Sequence, residues 1–131
     1  LDLEYIRTNY SKTVKNKELC KNLIDALENS ENSAVMTAYL GGLQAIWANH
    51  VNNPISKLNT FTKGKKNIEL ALKKDSNNIE IRYIRLSIQK NSPTILGYQS
   101  AIKMDEEFIE KNKAKVTSYT LKNNIDSLLN K

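Results

Sequence analysis

Residues 38–50 read AYLGGLQAIWANH, placing two adjacent glycines, Gly41 and Gly42, inside what is otherwise one apolar helix. Each glycine costs a helix interior roughly 1 kcal/mol relative to alanine. The pair therefore marks a helix break, a phosphate-cradling turn, or a helix face that has to be small. At about 100° per residue, Val35, Met36, Tyr39, Leu40, Leu43, Ile46 and Trp47 fill one broad side, and Ala38, Gly41, Gly42, Ala45 and Ala48 fill much of the other. The period runs unbroken from Val35 to Trp47, which argues against a break. No strand precedes the glycines and no lysine follows them, which argues against a phosphate cradle. The third reading stands: a helix buried on both sides, whose small side lets one neighbouring backbone come close.

Working outward, Ser33 caps this third helix, which runs over about 34–51 until NNP ends it. Before it lie a first helix near 2–14, with Leu3, Ile6, Tyr10 and Val14 on one side, and a second near 17–29, with Leu19, Cys20, Leu23, Ile24 and Leu27. A fourth, over about 55–74, turns Leu58, Phe61, Ile68 and Leu72 inward. After DSNN a fifth helix near 78–90 carries two apolar strips, one of Ile81, Ile84 and Ile88 and one of Ile79, Tyr83 and Leu86. Glu80 and Ser87 separate the strips on one edge, and Arg82, Arg85 and Gln89 on the other. Ser92 and Pro93 read as the opening of a sixth helix that reaches about 113 with Tyr98, Ile102 and Ile109 inward. The last, near 118–130, uses Leu121, Ile125 and Leu128. Loops this short make neighbours antiparallel. The expected fold is a single all-α domain over 1–131: about seven helices in a stacked antiparallel hairpin array, helices three and five interior, the first and last as more polar covers.

Composition agrees. The chain has 131 residues, 40% of them hydrophobic and 26% charged, and a formal charge of +6. That is long enough to bury a continuous core and far from a disordered composition. Cys20 is the only cysteine, which excludes an internal disulfide and a cysteine-cluster zinc site. The longest nearly apolar run, residues 34–48, is too short to cross a bilayer. LDLEYIRTNY lacks the basic start and apolar core of a signal peptide, and a start at Leu1 rather than methionine leads us to expect that an upstream piece has been removed.

AYLGGLQA followed by IELALKKDSNN resembles the tetratricopeptide repeat family. The counterparts of that family's small contact residues and first-helix aromatic are Ala38, Tyr39, Gly42 and Ala45. Its Ala-Leu pair and closing turn correspond to Ala71, Leu72, Asp75 and Asn78, with Ser76 where the family usually has proline and no copy recurring at about 34 residues. PISKLNTFTKGKKNIELAL and EIRYIRLSIQKNSPTILGY are also similar to small, exported bacterial helical proteins without an assigned activity. That likeness implies an extracytoplasmic home, periplasmic or secreted, and supplies no catalytic residues.

Two clusters are candidates for function. Helix four carries Lys57, Lys63, Lys65, Lys66, Lys73 and Lys74 against Glu69 alone, with Lys63, Lys66, Lys73 and Lys74 on one exposed side. These four could bind an anion such as nucleic acid, acidic polysaccharide or a membrane surface, although a solvated face is the preferred reading. The absence of interleaved aromatics and of arginine there weighs against nucleic acid. Arg82 and Arg85 are two of only three arginines and lie, with Gln89, between the strips of helix five. They either form an ion-pair network with Asp105 that locks helix five to helix six, the preferred reading, or line a partner-binding groove with Gln89. His50, the only histidine, is expected to interact with the end of its own helix. Glu106, Glu107 and Glu110 read as a solvated face. Nucleophile, base and orienter are not recognisable together, so no catalytic residue, metal or cofactor is expected. The leading expectation is a non-enzymatic interaction or scaffold module that holds a peptide or partner helix between hairpins. The competing one is anion binding on the helix-four lysines.

Overall fold

Side-chain caps start most of the helices. Asn53, followed by Pro54, accepts from the amides of Ile55 and Ser56, Asn78 from those of Glu80 and Ile81, Ser33 from Met36, and Ser118 from Leu121. Each satisfies amides that a first helical turn leaves without intrahelical acceptors. The computed structural model describes residues 1–130 and is all-α there. It contains α1 (Leu3–Asn9), α2 (Lys17–Glu28), α3 (Ala34–Trp47), α4 (Pro54–Lys74), α5 (Ile79–Asn91), α6 (Ile102–Asn112) and α7 (Tyr119–Leu129). Short 3-10 turns sit at Ser11–Val14, Thr94–Leu96 and Lys113–Lys115.

The helices form antiparallel hairpins, with α3 most extensively packed on α4 and α6 along α5. α2 covers another side of α3, and α5 lies beside α3, so α3 and α5 are interior as expected. Residues 38–46 of α3 are buried throughout, and both apolar strips of α5 are covered except for the half-buried Ile79. The two terminal helices meet each other: the Asn124 amide donates to the Arg7 carbonyl at 2.9 Å, and Ser118 Oγ to Glu4 at 2.8 Å.

The glycines divide between two neighbours rather than serving one. A Cβ on Gly41 would fall 2.5 Å from the Gly64 carbonyl oxygen and 2.9 Å from the Ile68 amide nitrogen. Gly64 on α4 faces the Gly41 carbonyl in return, so the two backbones touch through reciprocal glycines. Gly42 points elsewhere: its Cβ would fall 2.5 Å from the Tyr10 hydroxyl and 3.0 Å from Ile84 of α5. The close packing won in this way offsets the helix-propensity cost that opened the question.

Three expectations need correction. The first helix ends at Asn9, and the 3-10 turn that follows buries Thr13 and leaves Val14 56% exposed. Leu58, expected inward, is 55% exposed because it lies about 100° round α4 from the face made by Phe61, Gly64, Ile68 and Ala71. Ser92 and Pro93 do not open α6. Pro93 holds Ser92 extended at the end of α5, a short turn follows, and Gly97 at φ 67° reverses the chain before α6 begins at Ile102.

Candidate functional site

Arg82, Arg85 and Gln89 recur at spacings of three and four, so they share one strip of α5, and Asp105 sits in the first turn of α6 opposite them. The Asp105 carboxylate is fully buried and accepts four bonds. Arg85 grips it with Nε and one terminal nitrogen, each at 2.8 Å; Arg82 reaches it at 3.2 Å and the Gln89 amide at 2.9 Å. The rest of each donor is also engaged. Arg85 bonds Glu69 of α4 at 3.1 Å, Arg82 bonds the Ser76 carbonyl at 2.9 Å and lies over the Phe108 ring, and Gln89 Oε1 accepts the Ala101 amide at 3.0 Å. Tyr98 donates to Glu69 at 2.7 Å. Burial opposes the charge on Arg85, but its bonds to Asp105 and the fields of Asp105 and Glu69 outweigh that and hold it protonated above its ordinary range. The ion-pair network with Asp105, the preferred of the two readings, is therefore what these residues form, and the alternative groove lined by Arg82, Arg85 and Gln89 is a closed ionic seam. Their polar ends are turned onto Asp105 because a buried carboxylate needs compensating donors.

A second network went unread in the sequence. Glu80, 4% exposed, accepts two bonds from Arg7, at 2.8 and 2.7 Å, and one from the Tyr39 hydroxyl at 2.6 Å. The hydrogen bond to Glu80 dominates the forces that raise Arg7 above its usual range. Beside it Tyr10 packs edge-on against Tyr39 and Tyr83, its hydroxyl 2.9 Å from Ser87. The signal was present: Arg7 is the third arginine, and the reasoning that singled out Arg82 and Arg85 applies to it equally.

His50 meets its own helix end through its backbone amide, which donates to the Trp47 carbonyl at 2.8 Å, but its imidazole reaches further. Its Nε2 lies 2.8 Å from the Thr13 carbonyl, tying the end of α3 to the turn after α1, and its ring lies tilted beside Trp47, with centroids 5.9 Å apart. Of the acidic run on α6, Glu107 and Glu110 are exposed, while Glu106 is half-buried and pairs with Lys90 at 3.2 Å. No trio of histidine, cysteine or carboxylate side chains stands close enough to hold a metal ion among the described residues.

The lysines of α4 have a different environment. Lys63, Lys66, Lys73 and Lys74 are all exposed. Lys63 approaches Glu28 at 3.7 Å; among the described residues no carboxylate lies within 4.0 Å of Lys66, Lys73 or Lys74. Lys65 is half-buried, its ammonium 5.2 Å from the centre of the Tyr98 ring. Between α4 and the turn at Thr94–Leu96 runs an open groove of about 380 Å³, lined by Leu58, Phe61, Thr62, Lys65, Lys66, Glu69 and Leu96. Ile55 (73% exposed) on α4 and Ile95 (93%), the chain neighbour of Leu96, add apolar surface in these two elements. A second open cleft, of about 540 Å³, lies where Asn77 and Ile79 meet Phe108, Lys111, Asn112 and Lys115.

No described helix is long and apolar enough to cross a membrane. Comparison of the chain with protein-family models, with curated proteins and with solved structures finds no match.

Proposed function

We propose that this chain is a non-enzymatic protein-interaction module that binds a peptide or partner helix in the groove between α4 and the turn at Thr94–Leu96. The observation that carries the reading is Leu58, a large apolar side chain 55% exposed on the wall of an open groove beside Leu96. Binding grooves combine such apolar anchors with a few polar groups at the edge. The buried acids support a non-catalytic reading, because Asp105 and Glu80 each carry several donors and face interior side chains rather than open space. Stacked hairpins, with or without the tetratricopeptide likeness, present surfaces of this kind to partners.

The test is selection from a random peptide display library, followed by amide hydrogen exchange of the complex. Selected peptides should protect amides in residues 58–69 and 94–98, and should bind more weakly when Leu58 and Leu96 are both changed to serine. Peptides that protect another surface, or that ignore both substitutions, would overturn the assignment of the groove.

A further inference from the structure

We infer that the groove takes an acidic amphipathic helix, whose apolar stripe seats on Leu58 and Leu96 and whose carboxylates pair with Lys65 and Lys66. This rests on the docking reading above and names the chemistry of the partner.

Charge complementarity decides the sign. α4 carries six lysines and a single acid, Glu69. Both oxygens of that acid are engaged from within, by Arg85 and by the Tyr98 hydroxyl, so Glu69 lines the groove with its charge already countered. Lys66 meets no carboxylate within 4.0 Å among the described residues, and Lys65 is held over the Tyr98 ring with its ammonium unpaired by any acid there. A partner bearing carboxylates beside an apolar stripe satisfies both lysines and covers Leu58 in one step. Length fits as well. Residues 58–69 span about 16 Å of helix axis, which is about three turns of a partner helix.

The same surface suits other anions less well. The rings at the groove, Phe61 and Tyr98, are buried edge to face against each other at 6.1 Å, so neither offers a face for stacking bases, and α4 has no arginine to read them. A lipid surface would take up the protruding Ile55 and Ile95, whereas the residues that line the recess are Leu58, Phe61 and Leu96.

The probe is a fluorescent peptide of about sixteen residues with leucine at i, i+3, i+4 and i+7 and glutamate elsewhere. Two companions carry glutamine or lysine in place of glutamate. Each is titrated with the full chain and followed by anisotropy at low and high salt, with the urea midpoint of every variant checked for intact folding. The glutamate peptide should bind, weaken with salt, and lose about tenfold in affinity both in Lys65→Glu/Lys66→Glu and in Leu58→Ser. The lysine peptide should not bind. If the glutamine peptide binds as tightly with the same Leu58 dependence, the groove remains a docking site and the acidic partner is wrong. If no peptide binds, or binding ignores both Leu58 and Lys66, the docking reading fails too. Tighter binding of oligodeoxythymidine, or of phosphatidylglycerol vesicles in a manner sensitive to Ile95→Ser but not to Leu58→Ser, also overturns the proposal.

Discussion

The hairpins α3–α4 and α5–α6 are joined by opposite means. In the first, Gly41 and Gly64 bring two backbones into contact, and the polar bonds beside them are Asn67 donating to Gln44 at 2.7 Å and, at the end of α3, Lys57 donating to the Ala48 carbonyl at 3.3 Å. In the second, a carboxylate with no exposed surface is ringed by two guanidinium groups and an amide. The contrast separates two ways of specifying a helix contact. Backbone proximity depends on volume alone, and any added atom damages it. A buried ionic seam depends on completeness, and a single missing partner leaves the others uncompensated.

The largest expected effect breaks the ionic seam. Asp105→Ala should cost roughly 3–5 kcal/mol in urea unfolding, because it leaves Arg82 and Arg85 facing a buried site without their acceptor. Replacing Asp105 and Arg85 together with leucine and methionine should cost less than Asp105→Ala, since the desolvated charge goes with its partner. A double variant as damaged as the single would show that the pair itself stabilises the fold.

The glycine seam should respond next. Gly41→Ala and Gly64→Ala each drive a methyl group into the facing backbone, which cannot move aside as a side chain can, and should cost about 1–3 kcal/mol. Gly42→Ala, which meets the tip of the Tyr10 side chain, should cost about 1 kcal/mol through the strained or lost Tyr10–Ser87 bond. Equal losses at Gly41 and Gly42 would remove the distinction between backbone and side-chain contact.

Alkaline pH sharpens the comparison further. Burial raises the phenols of Tyr10, Tyr39 and Tyr83, burial and then the bond to Glu69 raise Tyr98, and burial pushes the Cys20 thiol up to about 12. The unfolded chain gives up these protons from about pH 8.5 for the thiol and 10 for the phenols, while the folded chain keeps them. The folded state then binds more protons, so stability is fully present below about pH 8.5 and falls as pH rises through this range. Urea midpoints should be level from pH 7 to 8 and should drop between pH 9 and 11. Tyr98→Phe should lessen that fall, because the phenol beside the ionic seam no longer titrates; an unchanged slope would place the alkaline loss elsewhere.

Much of this was legible from residue spacing. Helix-period apolar residues announced seven helices, and Ser33 marked the start of α3 because a serine before an apolar run has few other uses. Arginine scarcity pointed to Asp105 and its seam, and the same clue at Arg7 was passed over. Gly64 stayed hidden because the lysines around it read as solvated surface, while the contact that explains it comes from another helix. The groove was harder still. Leu96 belongs to a turn that Ser92 and Pro93 disguised as a helix start, and Leu58, an apolar residue expected inward, lies about 100° round α4 from the face that Phe61, Gly64, Ile68 and Ala71 bury. What a helix is can be read locally, but which of its faces stays uncovered depends on neighbours far along the chain.

The division of positive charge is the central claim: arginines inside hold the hairpins together, whereas Lys66, Lys73 and Lys74 on α4 are exposed and meet no carboxylate within 4.0 Å among the described residues. Equilibrium urea unfolding of Arg85→Ala beside Lys66→Ala tests it most directly. Arg85→Ala should lose about 3 kcal/mol, since Asp105 keeps only Arg82 and Gln89, whereas Lys66→Ala should stay within about 0.5 kcal/mol of the parent. Similar losses in the two variants, or a stable Arg85→Ala, would contradict the division.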